Sequence, residues 1–386
     1  MLNFFKLEQR PFRLISSLSI LALIVSLGAC GGTTYDDSSI ERTATNINKP
    51  PLEGKVILTG AGASFPAPLY QNWFVQLNSA IPELQVNYQS IGSGAGVEQF
   101  TIGTVDFGAS DVAMKDEEIA KVSRGVILLP MTAGSIVIAY NLSGVQGLKL
   151  SREAYVGIMQ GSITNWSDPK IVEANPDLSL PNQPITVVHR SDGSGTTEVF
   201  TKHLSAISSE WETMIGQGKS VEWPTTKGRF IGSKGNEGVT ATIQQNEGAI
   251  GYIEYGYAKN NGLTMAALEN LSGNYIEPSD ESAEHTLDAV TLPENLRVFI
   301  TDPKGDQSYP IVTYTWILAY KQYDDPQKAI AMEAMIEHAL NYGQEASKEL
   351  GYVALPPSIK KKIAAAADVI SPDYTIKVKQ TDNFLD

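Results

Sequence analysis

Ile185-Thr186-Val187-Val188-His189-Arg190-Ser191-Asp192-Gly193-Ser194-Gly195-Thr196-Thr197 passes from a β-branched apolar run, through a turn rich in glycine and hydroxyls, into a helical pattern that reaches Leu204. The apolar run is short and bounded by turn residues, so it reads as a strand at 185–188. A strand that feeds a helix start through a tight loop marks an α/β chain with mostly parallel sheets. Ligand sites in such sheets lie where strand ends meet helix starts. The loop carries suitable chemistry. Arg190 offers a planar fork of donors that matches an oxyanion. Asp192 is placed to hold that fork and offset its charge. Ser194, Gly195 and Thr196 bring hydroxyls and backbone N–H groups to a helix start, where negative charge is favoured. The plainer alternative is a surface salt bridge between Arg190 and Asp192.

Three further segments share this grammar. Leu58-Thr59-Gly60-Ala61-Gly62-Ala63-Ser64-Phe65-Pro66-Ala67-Pro68 follows an apolar run. Its glycines let backbone approach closely. Ser64 is able to cap a helix or donate to an anion, and Pro66 and Pro68 suit a first helical turn. The N–H groups of that turn point outward and favour negative charge. A capped helix with no ligand is the alternative. Ile91-Gly92-Ser93-Gly94-Ala95-Gly96-Val97 offers another glycine-loosened turn with one hydroxyl, of a kind common without any ligand. Val105-Asp106-Phe107-Gly108-Ala109-Ser110-Asp111 ends a strand on Asp111, either a site carboxylate or the N-cap of the following helix. Strands are expected at 56–58, 85–88, 105–107, 127–129, 136–140, 185–188, 249–252 and 316–319. Helices are expected at 68–77, 116–122, 152–159, 197–204, 238–245 and 327–342, the last with Met332, Met335, Ile336, Ala339 and Leu340 at helical spacing.

The chain has 386 residues and 42% hydrophobic residues, enough for two packed domains. Its net charge of -14 argues against sequence-independent nucleic-acid binding, which needs Lys and Arg to replace counterions. A small anion is compatible with it, because a buried site binds through local dipoles. The single cysteine, Cys30, makes no intramolecular disulfide and no cysteine-rich metal site. Lys6, Arg10 and Arg13 precede an apolar run that ends Leu27-Gly28-Ala29-Cys30, the three parts of an export signal. The small residues before Cys30 resemble a bacterial lipobox, which implies removal of residues 1–29 and lipidation of Cys30. A membrane-spanning anchor is the alternative, for which the run is short. Residues 30–53 are polar, with Pro50-Pro51 near the end, and read as a flexible tether. Gly218-Lys219-Ser220 imitates the tail of a P-loop, but Thr213 stands where that motif needs glycine. His189, His203, His285 and His338 show no metal-ligand pairing, and no metal or cofactor is expected.

Taken in order, Gly60 to Pro68, Ile91 to Val97, Val105 to Asp111 and Arg190 to Thr196 resemble the periplasmic phosphate-binding proteins of ABC phosphate transporters. Gly232-Ser233-Lys234-Gly235-Asn236-Glu237-Gly238-Val239 and Gly248-Ala249-Ile250-Gly251-Tyr252-Ile253-Glu254-Tyr255 extend the resemblance, which covers about residues 58–356. It implies phosphate contacts from Ser64, Phe65, Ser93, Asp111, Arg190, Asp192, Ser194, Gly195 and Thr196, with Phe65 acting through its backbone N–H. Ser64 is commonly Thr in the family, a change that keeps the hydroxyl, and Ala95 replaces a frequent Gly or Ser.

The resemblance also implies a two-domain α/β fold of the periplasmic binding-protein kind (type II-like), with the ligand in the cleft between the domains. Two crossing strands, near 136–140 and 311–315, would form the hinge. The expected division is 54–137 plus 308–386 for one domain and 138–307 for the other. The implied partners are inorganic phosphate, the permease and ATPase of the transporter, and a membrane reached through the lipid on Cys30. The expected state is a monomer, exported and not an enzyme. Two other functions share this sequence. A phosphatase-like enzyme would need a nucleophile and base or a two-metal cluster, and the sequence offers neither. A phosphate-sensing or adhesive surface lipoprotein would use the same site without a permease. The polar stretch 272–294 carries no readable role.

Overall fold

Strand β1 (Val56–Gly62), β2 (Leu84–Ser90), β3 (Phe107–Ser110), β4 (Val126–Tyr140), β5 (Thr186–Arg190), β6 (Arg229–Ser233), β7 (Ala249–Glu254), β8 (Thr264–Met265) and β9 (Val312–Tyr320) build one mixed sheet in the computed structural model, which describes residues 48–379. The order is β2-β1-β3-β9-β4-β7-β5-β6, with β8 beside the end of β4. β1 is parallel to β2 and β3, and β5 is parallel to β6 and β7. Between these two parallel halves run β9 and β4, antiparallel to each other and to their outer neighbours. The fold is therefore α/β, and the helices follow strands as the sequence pattern implies.

Strand β4 belongs to both halves. Nine of its first ten residues, through Ser135, pair with β9; from Ile136 onward it pairs with β7. Fourteen of its fifteen residues are buried, which explains a near-continuous apolar sequence without alternation. Pro130 lies opposite Trp316, where the register skips Met131. A proline has no N–H for the ladder, and a bulge is one of the few places in a central strand that tolerate it. The strands expected separately at 127–129 and 136–140 are thus one element.

The helices that position the site are α1 (Ala67–Ala80), α2 (Ser93–Thr101), α3 (Asp116–Ile119), α4 (Gly195–Ile207) and α5 (Gly235–Gln245). Helix α6 (Asp280–Asp288) lies inside the polar stretch 272–294, capped by Ser279, whose hydroxyl accepts from Ser282 N–H. Helix α7 (Pro326–Asn341) is buried along nearly all its length. Leu69, Tyr70, Trp73, Phe74 and Leu77 form the buried face of α1 at helical spacing.

Three expectations are corrected. Residues 59–62 are strand, not turn, and a Cβ on Gly62 would stand 2.1 Å from the Ala109 carbonyl oxygen, so glycine here serves strand-to-strand approach. The stretch from Ser93 is the start of α2, not a free turn. A Cβ on Gly96 would lie 2.3 Å from Gly62 Cα, so the glycines let this helix lie directly on β1. The chain is also docked before residue 54. Asn48 donates to Glu337 Oε2 (3.3 Å), accepts from Tyr374 OH (3.1 Å), and Glu53 N–H donates to Gln327 Oε1 (2.7 Å). The signal at 1–29 and Cys30 lie outside the described residues. Among the described residues no helix is long and apolar enough to cross a membrane.

Candidate anion-binding site

The nine expected contact residues sit at strand ends and helix starts from both halves of the sheet. Ser64 and Phe65 join β1 to α1, Ser93 opens α2, and Asp111 follows β3. Arg190 ends β5, Asp192 is in the next turn, Ser194 caps α4, and Gly195 and Thr196 begin it. The first N–H groups of a helix have no acceptor within it, so three helix starts present donors here.

Contacts between the segments tie them into one place. Asp111 accepts from Thr315 Oγ1 (3.0 Å), Thr196 Oγ1 (3.2 Å) and Ser93 Oγ (3.5 Å). Gly94 N–H donates to the Gly193 carbonyl at 2.8 Å, backbone against backbone. A Cβ on Gly195 would stand 2.5 Å from Ser93 Oγ and 2.9 Å from Asp111 Cβ. Ser64, Phe65, Ser93, Asp111, Arg190, Ser194 and Thr196 are all buried.

Arg190 is no surface salt bridge, because its side chain is only 1% exposed. Its Nε and Nη2 donate to the two oxygens of Asp192, the first at 2.7 Å. Of the five guanidinium N–H groups, about three remain for a ligand. Burial pushes the Asp192 carboxyl upward, but Arg190 and the Gly235 N–H outweigh it and hold it below the usual carboxylate range. Asp111 goes the other way. Burial lifts it to about 6, against the opposing pull of Thr315, Arg190, Thr196 and Ser93. Nor does Asp111 cap a helix, since the residue before α3 is Lys115.

The backbone donor at Phe65 has its own support. Tyr257 OH donates to the Ser64 carbonyl at 2.8 Å. That carbonyl and the Phe65 N–H share one trans peptide plane and point in opposite directions, so pinning the first aims the second. Tyr352 OH holds the Phe65 carbonyl in the same manner at 2.7 Å.

Several positions went unread in the sequence. Thr315 lies on a strand 204 residues from Asp111 and carried no local signal. Tyr252 OH accepts from Arg190 N–H at 3.1 Å and pairs with Thr197 Oγ1 at 2.7 Å. Asn236, fully buried, bonds Ser64 and stands in the Gly232 to Val239 segment, which was quoted for family likeness and not for a contact. Lys219, set aside as a false P-loop, accepts from Ser194 N–H through its carbonyl (2.8 Å) and pairs with Glu118 (2.9 Å). The histidines at 189 and 203 are packed against aromatic rings, Trp223 and Tyr155 respectively. Beside Asp111 opens a cavity of about 380 Å³, lined among others by Lys115, Glu198, Lys202 and Arg297.

A family model described as a PBP superfamily domain matches residues 39–346. The phosphate-binding protein PstS of Haemophilus influenzae is 42% identical over 310 residues, covering 79% of this chain and 91% of that protein. The chain belongs to the PstS family of phosphate-binding proteins. A PstS from Xylella fastidiosa is 37% identical over 357 residues, 90% of this chain and 96% of its own. Among solved structures, a periplasmic phosphate-binding protein bound with phosphate superposes with a TM-score of 0.66 at 21% identity, covering 80% of this chain and 93% of that one. A human phosphate binding apolipoprotein gives 0.66 at 20% identity, with the same coverage. At that identity the likeness speaks for the fold alone, an α/β arrangement consistent with a two-domain periplasmic-binding architecture.

Proposed function

We propose that this protein captures inorganic phosphate outside the cytoplasmic membrane and passes it to an ABC import permease. The observation that supports this is a set of buried donors from strand ends and helix starts in both halves of the sheet, tied by hydrogen bonds around Asp111, the carboxylate not paired to Arg190. Ser64, Ser93, Ser194 and Thr196 hydroxyls, the Phe65 and Gly195 N–H groups and the free edge of Arg190 would donate to phosphate oxygens. Charge-assisted bonds of this kind contribute about 1.5–3 kcal/mol each. An ionised Asp111 only accepts, so it asks the ligand for a proton. Phosphate near neutral pH keeps one and sulfate has none. A site built around such a donor rejects an analogue lacking it by roughly 10⁴-fold.

The proposed lobes are 54–137 with 308–386 and 138–307, swinging about β4 and the chain entering β9. Calorimetric titration with phosphate, arsenate and sulfate tests the ligand. Phosphate and arsenate should bind and sulfate should not, and equal binding of sulfate, or no heat with phosphate, overturns the reading. Loss of phosphate uptake in cells lacking the protein tests the transport role; unchanged uptake would favour sensing or adhesion. The lipid on Cys30 predicts that Cys30→Ser moves the protein from the membrane fraction to the soluble one.

A further inference from the structure

Asn236 is the second residue of α5 and is fully buried. Its Oδ1 accepts from Glu254 N–H at 3.0 Å. A backbone N–H can only donate, so this bond fixes which end of the amide is oxygen. The Nδ2 group must then face the other way, where it donates to Ser64 Oγ at 2.9 Å and to Thr196 Oγ1 at 3.4 Å. Asn236 N–H adds a second bond to Ser64 Oγ at 3.0 Å. A hydroxyl has two lone pairs and one proton. Both acceptor positions of Ser64 are filled, and its proton has to point elsewhere. Thr196, accepting from Asn236, in turn donates to Asp111 Oδ2 at 3.2 Å. The chain of bonds runs in one direction, from the Glu254 peptide through Asn236 to the Ser64 and Thr196 hydroxyls, and from Thr196 on to Asp111.

We propose that Asn236 is a positioning residue that sets the proton direction of the site. It makes Ser64 an obligate donor to the anion and orders Thr196 as a donor, to Asp111 in this structure and to the anion once that is bound, which leaves Asp111 as the group that receives the ligand proton. The inference rests on the phosphate-binding reading and would fail separately from it. Ser64 belongs to the chain segment of β1, and Asn236 to that of β6, so the same amide also docks one half of the sheet on the other.

Three variants test it by calorimetric titration with inorganic phosphate, with thermal melting as the check on folding. Asn236→Ala keeps the backbone N–H but loses the amide, and phosphate affinity should fall about tenfold with the phosphate/sulfate preference retained. Made in a Ser64→Ala background, the same change should cost much less, because the partner it acts through is gone. Asn236→Asp is isosteric and its Oδ1 still accepts from Glu254, so the packing is kept in shape, and thermal melting reads the cost of the buried charge. The variant places an acceptor where Nδ2 stood, turns the Ser64 proton away, and adds a negative charge. Relative to the parent at the same pH, which allows for the titration of Asp111, affinity should fall at least a hundredfold at pH 8 and by clearly less at pH 5, where the new carboxyl regains a proton and can donate. Parental affinity in Asn236→Asp at pH 8, a loss that does not change with pH, or additivity of Asn236→Ala with Ser64→Ala would each overturn the role. A parent protein that gives no heat with phosphate would instead sink the proposed function, before any variant is compared.

Discussion

At the scale of single residues, Asp111 carries the sharpest consequences. Its carboxyl, lifted by burial to about 6, is protonated more readily in the folded chain than in the unfolded one. The folded state therefore binds the extra proton, and the stability this group contributes is present at low pH and lost as pH rises through 6. Asp111→Asn removes that loss. In urea denaturation without phosphate, the variant should gain on the parent between pH 4 and pH 7 by up to roughly 3 kcal/mol. Binding should respond to the same residue with the opposite cost. Asp111→Asn should narrow the phosphate/sulfate preference in competition calorimetry. In the parent, sulfate exclusion should weaken below pH 6, as the protonated carboxyl becomes a donor. Equal preference in parent and variant across that range would remove Asp111 from the selective role. The sequence marked Asp111 because it ends a strand in a family pattern. It could not mark Thr315, which arrives from a distant part of the chain through the pairing of β9 with β3, or Asn236, which arrives where helix starts of the two halves meet.

Among elements, the start of α4 was legible and the start of α2 was not, for one physical reason. Ser194 is a strong N-cap and the apolar positions after it keep helical spacing, so local signals agree. In α2 the opening Ser93-Gly94-Ala95-Gly96 has poor helix propensity, and the helix is held by lying on β1 and β3. Tertiary contact overrides composition there. Gly195 shows the same economy of space at the other side of the site. In Gly195→Ala the gain in helix propensity is under about 1 kcal/mol, because the residue is the first of α4. Its Cβ would nonetheless press on Ser93 Oγ and Asp111 Cβ, both held in place. Phosphate affinity should drop at least tenfold and the melting temperature should fall by a few degrees, because overpacking of this kind costs about 1–3 kcal/mol; unchanged affinity would mean that the two turns need not meet this closely.

Across the whole molecule, ion pairs gather around the short helix α3. Lys115 pairs with Glu198 (3.4 Å), Asp116 with Arg297 (2.6 Å) and Glu118 with Lys219 (2.9 Å), all between the segment after β3 and elements of the stretch 195–300. Such partly exposed pairs are worth ~0–1 kcal/mol each and are screened by salt. Glu118→Gln should weaken phosphate binding only a few-fold at low ionic strength, and the difference should vanish near ~1 M salt. A salt-independent loss would place Glu118 in the binding machinery itself. The alternation of strands and helices was readable from short apolar runs, but the joining of two runs into β4 was not, because Pro130 interrupts the pattern that the bulge absorbs. The docking of residues 48–53 was equally hidden, since a polar, proline-bearing stretch looks alike whether free or held. That docking has a mechanical meaning. Any pull along the chain ahead of Asn48 arrives first at helix α7, through Glu337 and Gln327, and at Tyr374 beyond it, and α7 lies against β1 and α1. A protein moored through Cys30 would be held by one jaw only, leaving the jaw that bears Arg190 free to swing and present its face to a permease without working against its own leash.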